Sequence, residues 1–352
     1  MQTFRQLEKH LGMVPAPFAR ALGAVSSGHG REEILRHRDP KAIDALREAA
    51  MIQSAAASNA IEQITAPAAR IAELVRDQAR PQNRSEEEIT GYRDVLATIH
   101  ESAEQIPFTP NVVLQFHRDL YLRTATRGGR FKTVQNEVAR FDPEGRKIAV
   151  VFRGTPPSET PRAMDELHER FAVAVAEGRH ARLLLVGAYI FDFLMIHPFN
   201  DGNGRMSRLL TLLLLCQAGH DIGRFVSLER LIEESRETYY EALQASTEGW
   251  DRGEHDIWRW LDYFLGIMIG AYRQLEEYAA GLGSGRGSKA ARIRNFIRLH
   301  IADTFTSAEI RKALPDIGAD HIRAELRKLR DAGAVESPGR GRKEWRRLHS
   351  EF

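Results

Sequence analysis

A mainly α-helical bundle carrying one β-hairpin, with a small basic unit behind it, is the architecture that these 352 residues predict. Three observations carry it. Apolar residues at three- and four-residue spacing dominate the sequence. Two segments, "RLLLVGAYIFDFLMIH" and "RMSRLLTLLLLCQAGH", are apolar nearly all round, which places them in the centre of a bundle. The exception is residues 133–157, which read as two short β-prone runs around the turn sequence "DPEG".

In chain order, "DPKAIDALREAAMIQSAAASNAIEQI", "PNVVLQFHRDLYL" and "SETPRAMDELHERFAVAVAEG" are helices, each opened by Pro or a capping residue. A single hairpin is marginal alone, so the one at 133–157 must pack on helices, where it presents an edge. The two central helices follow, the second ending at Gly219 as a C-cap. "IWRWLDYFLGIMIGAYRQLEEYAAGL" is a further long helix and "GLGSGRGSKA" a flexible linker. Then come a helix from Ala290, another after "FTSAEIRKAL", "GADHIRAELRKLRDAGAV", and short extended runs in "ESPGRGRKEWRRL". Three helices and a hairpin at this size make a winged-helix pattern. The domain reading is therefore an N-terminal helical region over 1–108, a core over 109–267, a helix end and linker over 268–289, and a winged-helix-like unit over 290–352.

Formal net charge is only +2, but it is unevenly spread. From Gly281 onward there are 16 basic and 9 acidic side chains, and the remainder holds 34 against 39. An acidic body with a basic tail suggests a nucleic-acid or acidic-protein contact at that end, or a solvated basic face. The single cysteine, Cys216, lies in "LLLLCQAG" and reads as a small core residue in a reducing compartment. The N-terminus has no apolar signal core, and no run of about 18 apolar residues occurs, so the expectation is a cytoplasmic protein without membrane contact.

Between the two central helices stands "IHPFNDGNGRMSRLL", residues 196–210. His197 ends an apolar helix, where an imidazole is a proton acceptor tunable near neutral pH. "DGNG" lets the chain turn tightly, and glycines before a helix leave N–H groups facing whatever sits there, with the helix dipole behind them. Arg205 and Arg208, three apart, lie on one side of the first turn. Backbone donors and two guanidiniums make a polyphosphate cradle. Asp201 at its lip can hold Mg2+ together with phosphate oxygens. A base, a metal ligand and an anion hole are the equipment for transferring a phosphorus group to a hydroxyl.

"HPFNDGNGRMSR" resembles the signature of Fic proteins, His-Pro-Phe-x-Asp/Glu-Gly-Asn-Gly/Lys-Arg-x-x-Arg, at every specified position. The helices and hairpin of the core resemble the Fic fold throughout. The resemblance implies transfer of a nucleotide, commonly AMP from ATP, to a Ser, Thr or Tyr hydroxyl of a target protein. It implies that His197 is the general base and that Phe199 anchors the loop. Asp201 would hold Mg2+. Gly202, Asn203 and Gly204 would form the anion hole, and Arg205 and Arg208 would hold the β- and γ-phosphates. The hairpin would clamp the target segment by strand addition. Tyr239 or Tyr240, in "RETYYEAL", falls where the family often places an aromatic against adenine, though core packing explains a Tyr pair as well.

"SNAIEQ" adds a regulatory element. Ser58 and Glu62 are four apart and share a helix face. The stretch resembles the family's inhibitory Ser/Thr-x-x-x-Glu-Gly/Asn motif, departing at Gln63, which bears on how closely the helix fits. By that resemblance, Glu62 pairs with Arg208 and displaces the γ-phosphate, so that ATP binds unproductively. In some family members the same Glu drives removal of AMP. The expectations are thus an autoinhibited enzyme that modifies itself and a target protein, in a family whose members often dimerise, or the reverse reaction or transfer of another nucleotide. A different class is a DNA-binding regulator in which "GADHIRAELRKLRDAG" is a recognition helix and "PGRGRK" a basic wing.

Overall fold

The computed structural model describes residues 1–38, 40–141, 147–282, 289–299, 304–314, 316–337 and 344–348. The N-terminal region is helical throughout: α1 (Gln2–Arg5), α2 (Leu7–Leu11), α3 (Ala16–Arg38), α4 (Pro40–Ile61), α5 (Ala68–Val75) and α6 (Arg84–Ser102). Asn83 caps α6 by accepting the Glu86 N–H at 3.0 Å, and α7 (Pro110–Leu120) opens on Thr109 with proline in its first turn. The hairpin β1 (Glu137–Phe141) and β2 (Lys147–Arg153) follows. The strands are antiparallel, with Glu137 opposite Arg153 and Phe141 opposite Lys147, and the register shifts twice between those ends. The "DPEG" turn lies outside the described residues.

The centre is built from α8 (Thr160–Glu177), α9 (Arg182–Ile196) and α10 (Asn203–Gln217), the last two being the predicted all-apolar helices. Every residue from Leu183 to Ile196 is buried. Gly219 takes a left-handed backbone (φ 86°) one residue beyond the C-cap Ala218, and His220 N–H closes the end on the Leu215 carbonyl at 2.8 Å. Cys216 is buried here, and desolvation pushes its thiol up to about 12, which leaves it inert.

α11 (Leu228–Glu234), α12 (Arg236–Thr247) and α13 (Ile257–Leu282) complete the bundle, with α13 packed on α3, α9 and α12. One buried carboxylate ties the chain's start to this core. Asp192 in α9 accepts the Thr3 hydroxyl (3.0 Å), the Phe4 N–H (3.2 Å) and the Trp250 indole N–H (2.7 Å). Among the described residues no helix is long and apolar enough to cross a membrane.

A second core lies C-terminal to residues 283–288, which include most of the predicted linker and are outside the described residues. It comprises α14 (Lys289–Leu299), β3 (Thr304–Thr306), α15 (Ser307–Ala313), α16 (Ala319–Asp331), β4 (Val335–Glu336) and β5 (Glu344–Arg347). Its sheet runs β3-β5-β4, with both pairings antiparallel. Thr306 and Glu309 form a capping box on α15. Ile293, Phe305, Ile310, Ile322 and Leu326 fill the space between. The predicted basic wing, residues 338–343, lies outside the described residues.

Buried and half-buried histidines should make this fold acid-sensitive. Desolvation lowers His100, His168, His220 and His255 from 6.5 to about 4. The unfolded chain takes up these protons as pH falls through 6.5, whereas the folded chain withholds them until about pH 4. Their contribution to stability is therefore complete above pH 6.5 and lost between 6.5 and 4. Urea midpoints measured from pH 7.5 to 5 are expected to fall steadily below 6.5; a flat profile would contradict this assignment.

Candidate active site

α9 stops at Ile196 because His197 adopts a left-handed backbone, φ 53° and ψ 61°. Its N–H still reaches the Phe193 carbonyl at 2.9 Å, so the helix is capped by a strained non-glycine residue. The imidazole Nδ1 stands 3.2 Å from the Leu194 carbonyl. A carbonyl only accepts, so Nδ1 carries the proton and Nε2 presents a lone pair. Burial lowers this histidine to about 4, Lys132 acts in the same direction, and the Leu194 contact and Glu62 oppose it. At neutral pH it is an unprotonated base.

The loop after it is held from inside. Phe199 is fully buried and stacks on His117, ring centroids 3.7 Å apart and planes 5° apart. His117 accepts the Gly129 N–H at Nδ1 (2.9 Å) and donates from Nε2 to the Asp201 carbonyl (3.1 Å). Burial takes it to about 4, which keeps it neutral in that tautomer. Asn203 turns its amide inward, donating to the Phe199 carbonyl (2.8 Å) and accepting the Phe199 N–H (2.9 Å). Gly202 has φ 80°, and a Cβ there would stand 2.9 Å from the Tyr121 hydroxyl. α10 then begins with no side-chain cap, unlike α6, α7 and α11. The N–H groups of its first turn, at Asn203, Gly204 and Arg205, have no intrahelical partner and make an anion site.

The two arginines part company. Arg205, 1% exposed, donates to Glu88 of α6 (2.6 Å) and to the Tyr121 hydroxyl (2.7 Å), and lies over the Tyr121 ring. It braces α10 against α6 and α7. Arg208 is also buried, but its guanidinium faces the loop: Nη1 would lie 3.2 Å from a Cβ on Gly204. Nε donates to the Ser58 hydroxyl and Nη2 to the Ser58 carbonyl, both at 2.8 Å. Asp201 is exposed, with Oδ1 on the Gly202 N–H (2.7 Å) and Oδ2 3.9 Å from Arg205. Among the described residues no group of three or more His, Cys, Asp or Glu can hold a metal by itself.

Glu62 closes the site. It sits one residue past the end of α4 rather than within the helix. Its carboxylate takes Nη2 of Arg208 at 2.8 Å and overlies Gly204, where any side chain would collide with it. A carboxylate thus lies against the first turn of α10, bonded to Arg208. Burial works most strongly against the charge on Arg208, but Glu62, together with Tyr239 and Tyr92, raises its pKa overall. The partners differ in exposure: Arg208 is 4% exposed, whereas the Glu62 side chain is 34% exposed.

Residues 107–215 match the Fic/DOC family model. The chain carries a Fic domain. The fold agrees. A Fic-domain-containing signaling protein from Bacteroides thetaiotaomicron superposes with a TM-score of 0.60 at 20% identity, over 73% of this chain and 97% of that one. A Fic family protein from Desulfovibrio desulfuricans G20 gives 0.60 at 19% identity, over 96% of this chain and 97% of that one. Residues 134–508 of Fic-1 from C. elegans give 0.53 at 20% identity, over 74% and 73%. At these identities the likeness is one of fold. Fic domains are typically transferases that place a nucleotide on a protein.

Within the Fic domain's neighbourhood, Tyr239 is buried against Trp260 and Tyr263, while Tyr240 is 45% exposed beneath Arg236. Tyr239 and Arg208 share an apolar cleft of about 30 Å3 with Ile190, Thr211 and Phe264. That is far below the roughly 300 Å3 at which ligand pockets begin. His117, Glu88, Tyr121 and Lys132 escaped the sequence reading. His117 sits in "QFHRDLY" on an amphipathic face, and Glu88 directly follows the acidic first turn of a helix, where charge needs no further reason.

The departure at Gln63 concerns backbone hand rather than size. Its φ is 63°, with its N–H on the Ala60 carbonyl and the Ile64 N–H on the Asn59 carbonyl, both 2.9 Å. Gly and Asn enter this conformation readily, whereas other residues do so at a cost of about 1 kcal/mol. Gln63→Gly is expected to raise the unfolding midpoint by about 1–3 °C, and the β-branched Gln63→Val to lower it. A midpoint lowered by the glycine would contradict this account.

Proposed function

We propose that this chain is a protein adenylyltransferase, transferring AMP from ATP with Mg2+ to a Ser, Thr or Tyr hydroxyl of a target protein, and that Glu62 holds it inactive. The observation that carries the reading is a neutral His197 within the field of Glu62, whose carboxylate bonds Arg208 and lies over Gly204 at the uncapped start of α10.

In this reading the target hydroxyl attacks the α-phosphorus and passes its proton to Nε2 of His197. The bond to pyrophosphate breaks and pyrophosphate leaves. His197 contributes about 10²–10⁴-fold as a base. The N–H groups of the first turn of α10 receive developing charge on the phosphates without reorganising. Arg208 is the guanidinium within reach of a terminal phosphate, while Arg205 supports the turn. Asp201 offers one exposed carboxylate, which suits a Mg2+ that arrives with the nucleotide's own oxygens. The ion would neutralise phosphate charge. The hairpin β1-β2 is where a target strand would add.

With Glu62 in place, a terminal phosphate meets a carboxylate rather than a cation. Release of that carboxylate, by a target, a partner or a second copy of the chain, opens the site. The same arrangement would allow automodification; removal of AMP is the alternative reading of it. The basic residues Arg323, Arg327, Lys328 and Arg330 on the exposed face of α16 suit a docking role for a winged-helix-like unit. Asp320 and Asp331 pair with two of them, which weakens its field for DNA.

The test is intact-mass analysis after incubation with ATP and Mg2+. Glu62→Gly is expected to gain AMP at least about tenfold faster than the parent, the factor that 1.4 kcal/mol of lost competition gives. Adding His197→Ala is expected to abolish that gain. A Glu62→Gly protein that acquires no AMP would overturn the proposal.

A further inference from the structure

The turn that presents His197 is read carbonyl by carbonyl from one neighbouring segment. Lys132 Nζ donates to the Ile196 carbonyl (3.0 Å), and Lys132 N–H to the Pro198 carbonyl (2.8 Å). Asn136 Nδ2 donates to the Phe199 carbonyl (2.7 Å) and lies 3.4 Å from the His197 carbonyl. Asn136 Oδ1 in turn accepts from Lys132 Nζ (2.8 Å). Four successive carbonyls, 196 to 199, thus meet donors from two side chains and one backbone amide.

The ammonium is an unusual choice for this task. Lys132 is 3% exposed, and among the described residues no carboxylate pairs with it. A buried charge without a counter-ion is costly, and burial alone brings this amine down to about 8. What the site gives back is the C-terminal end of α9, where the helix dipole favours a cation. Gly154 leaves the space: a Cβ there would stand 2.8 Å from Lys132 Nζ and 3.0 Å from the His197 Cβ. The charged or titratable groups acting on His197 are Lys132 from this segment and Glu62 from the end of α4, and they act in opposite senses.

We propose that Lys132 is a positioning residue for His197: its ammonium fixes the Ile196 carbonyl, and hence the left-handed turn that aims the imidazole. Asn136 completes the clamp. It immediately precedes β1, and Thr155, two residues beyond β2, donates its N–H to the same Ile196 carbonyl at 3.1 Å. Both roots of the hairpin therefore hold the base, so a target strand on the hairpin and the proton acceptor share one rigid mount. The proposal rests on reading His197 as the proton acceptor.

The test uses the full chain with Glu62→Gly as parent. Lys132→Met is expected to lower kcat for AMP transfer about 10²-fold, the effect of roughly 1 Å of misplacement. KM for ATP should stay within about twofold, since binding is not what is lost. Lys132→Arg, which keeps charge and donors, should recover most of kcat. By NMR, the His197 imidazole should titrate higher in Lys132→Met than in the parent. Unchanged kcat together with unchanged titration would overturn the proposal. If Lys132→Met fails to fold, Asn136→Ala carries the kinetic test with the same expected direction. If the Glu62→Gly parent is itself inactive, the proposed function has failed, and the His197 titration still decides the role of Lys132.

Discussion

The contact on which this site turns is the one between Arg208 and the end of α4. Arg208 is buried, charged and held by Ser58 from two directions, and Glu62 supplies the anion that its remaining reach demands. A buried guanidinium without an anion is costly, and one with a half-exposed anion is exchangeable. In the proposed reading the phosphate site is already assembled, with its cation oriented and its helix N-terminus uncapped, and a carboxylate of the chain itself stands in for the ligand. Ser58, which takes two bonds from Arg208, would keep it aimed when that carboxylate departs.

Rigidity around the site comes from neutral, fully bonded polar groups. His117, Asn203 and Asn136 each bond backbone atoms of the loop from 197 to 203, and each has its donors and acceptors assigned by those partners. Among the described residues, non-glycine left-handed backbone occurs at Gln63, Asp77 and His197, two of which adjoin the site. Strain of this kind persists where the surroundings over-determine it. At His197 the surroundings are the carbonyl clamp, and at Gln63 they are the closing turn that delivers Glu62.

The central helices were legible in the sequence because α9 is apolar at nearly every position and α10 is leucine-rich beyond its first turn, which the middle of a bundle accommodates. The loop between them was legible because Pro, Gly, Asp and Asn interrupt leucine-rich helices abruptly. The different fates of the two arginines were not. Helical spacing puts Arg205 and Arg208 on one side of a turn, but only the tertiary fold brings Glu88 and Tyr121 to one and Ser58 to the other. Glu62 was placed on a helix face by its spacing from Ser58, whereas the helix ends one residue earlier, because Gln63 turns left-handed. Lys132 gave no signal at all: a lysine in a polar stretch before a hairpin reads as solvent-facing, and its burial depends on Gly154 across the turn.

Direct measurement of nucleotide binding tests the central claim, that Glu62 occupies the site of a phosphate. Calorimetric titration of ATP with Mg2+ into the parent and into Glu62→Gly, at one ionic strength, should show tighter binding by the variant. The difference should shrink for AMP, which has no terminal phosphate to compete with the carboxylate. Equal ATP affinities for the two proteins would contradict the account.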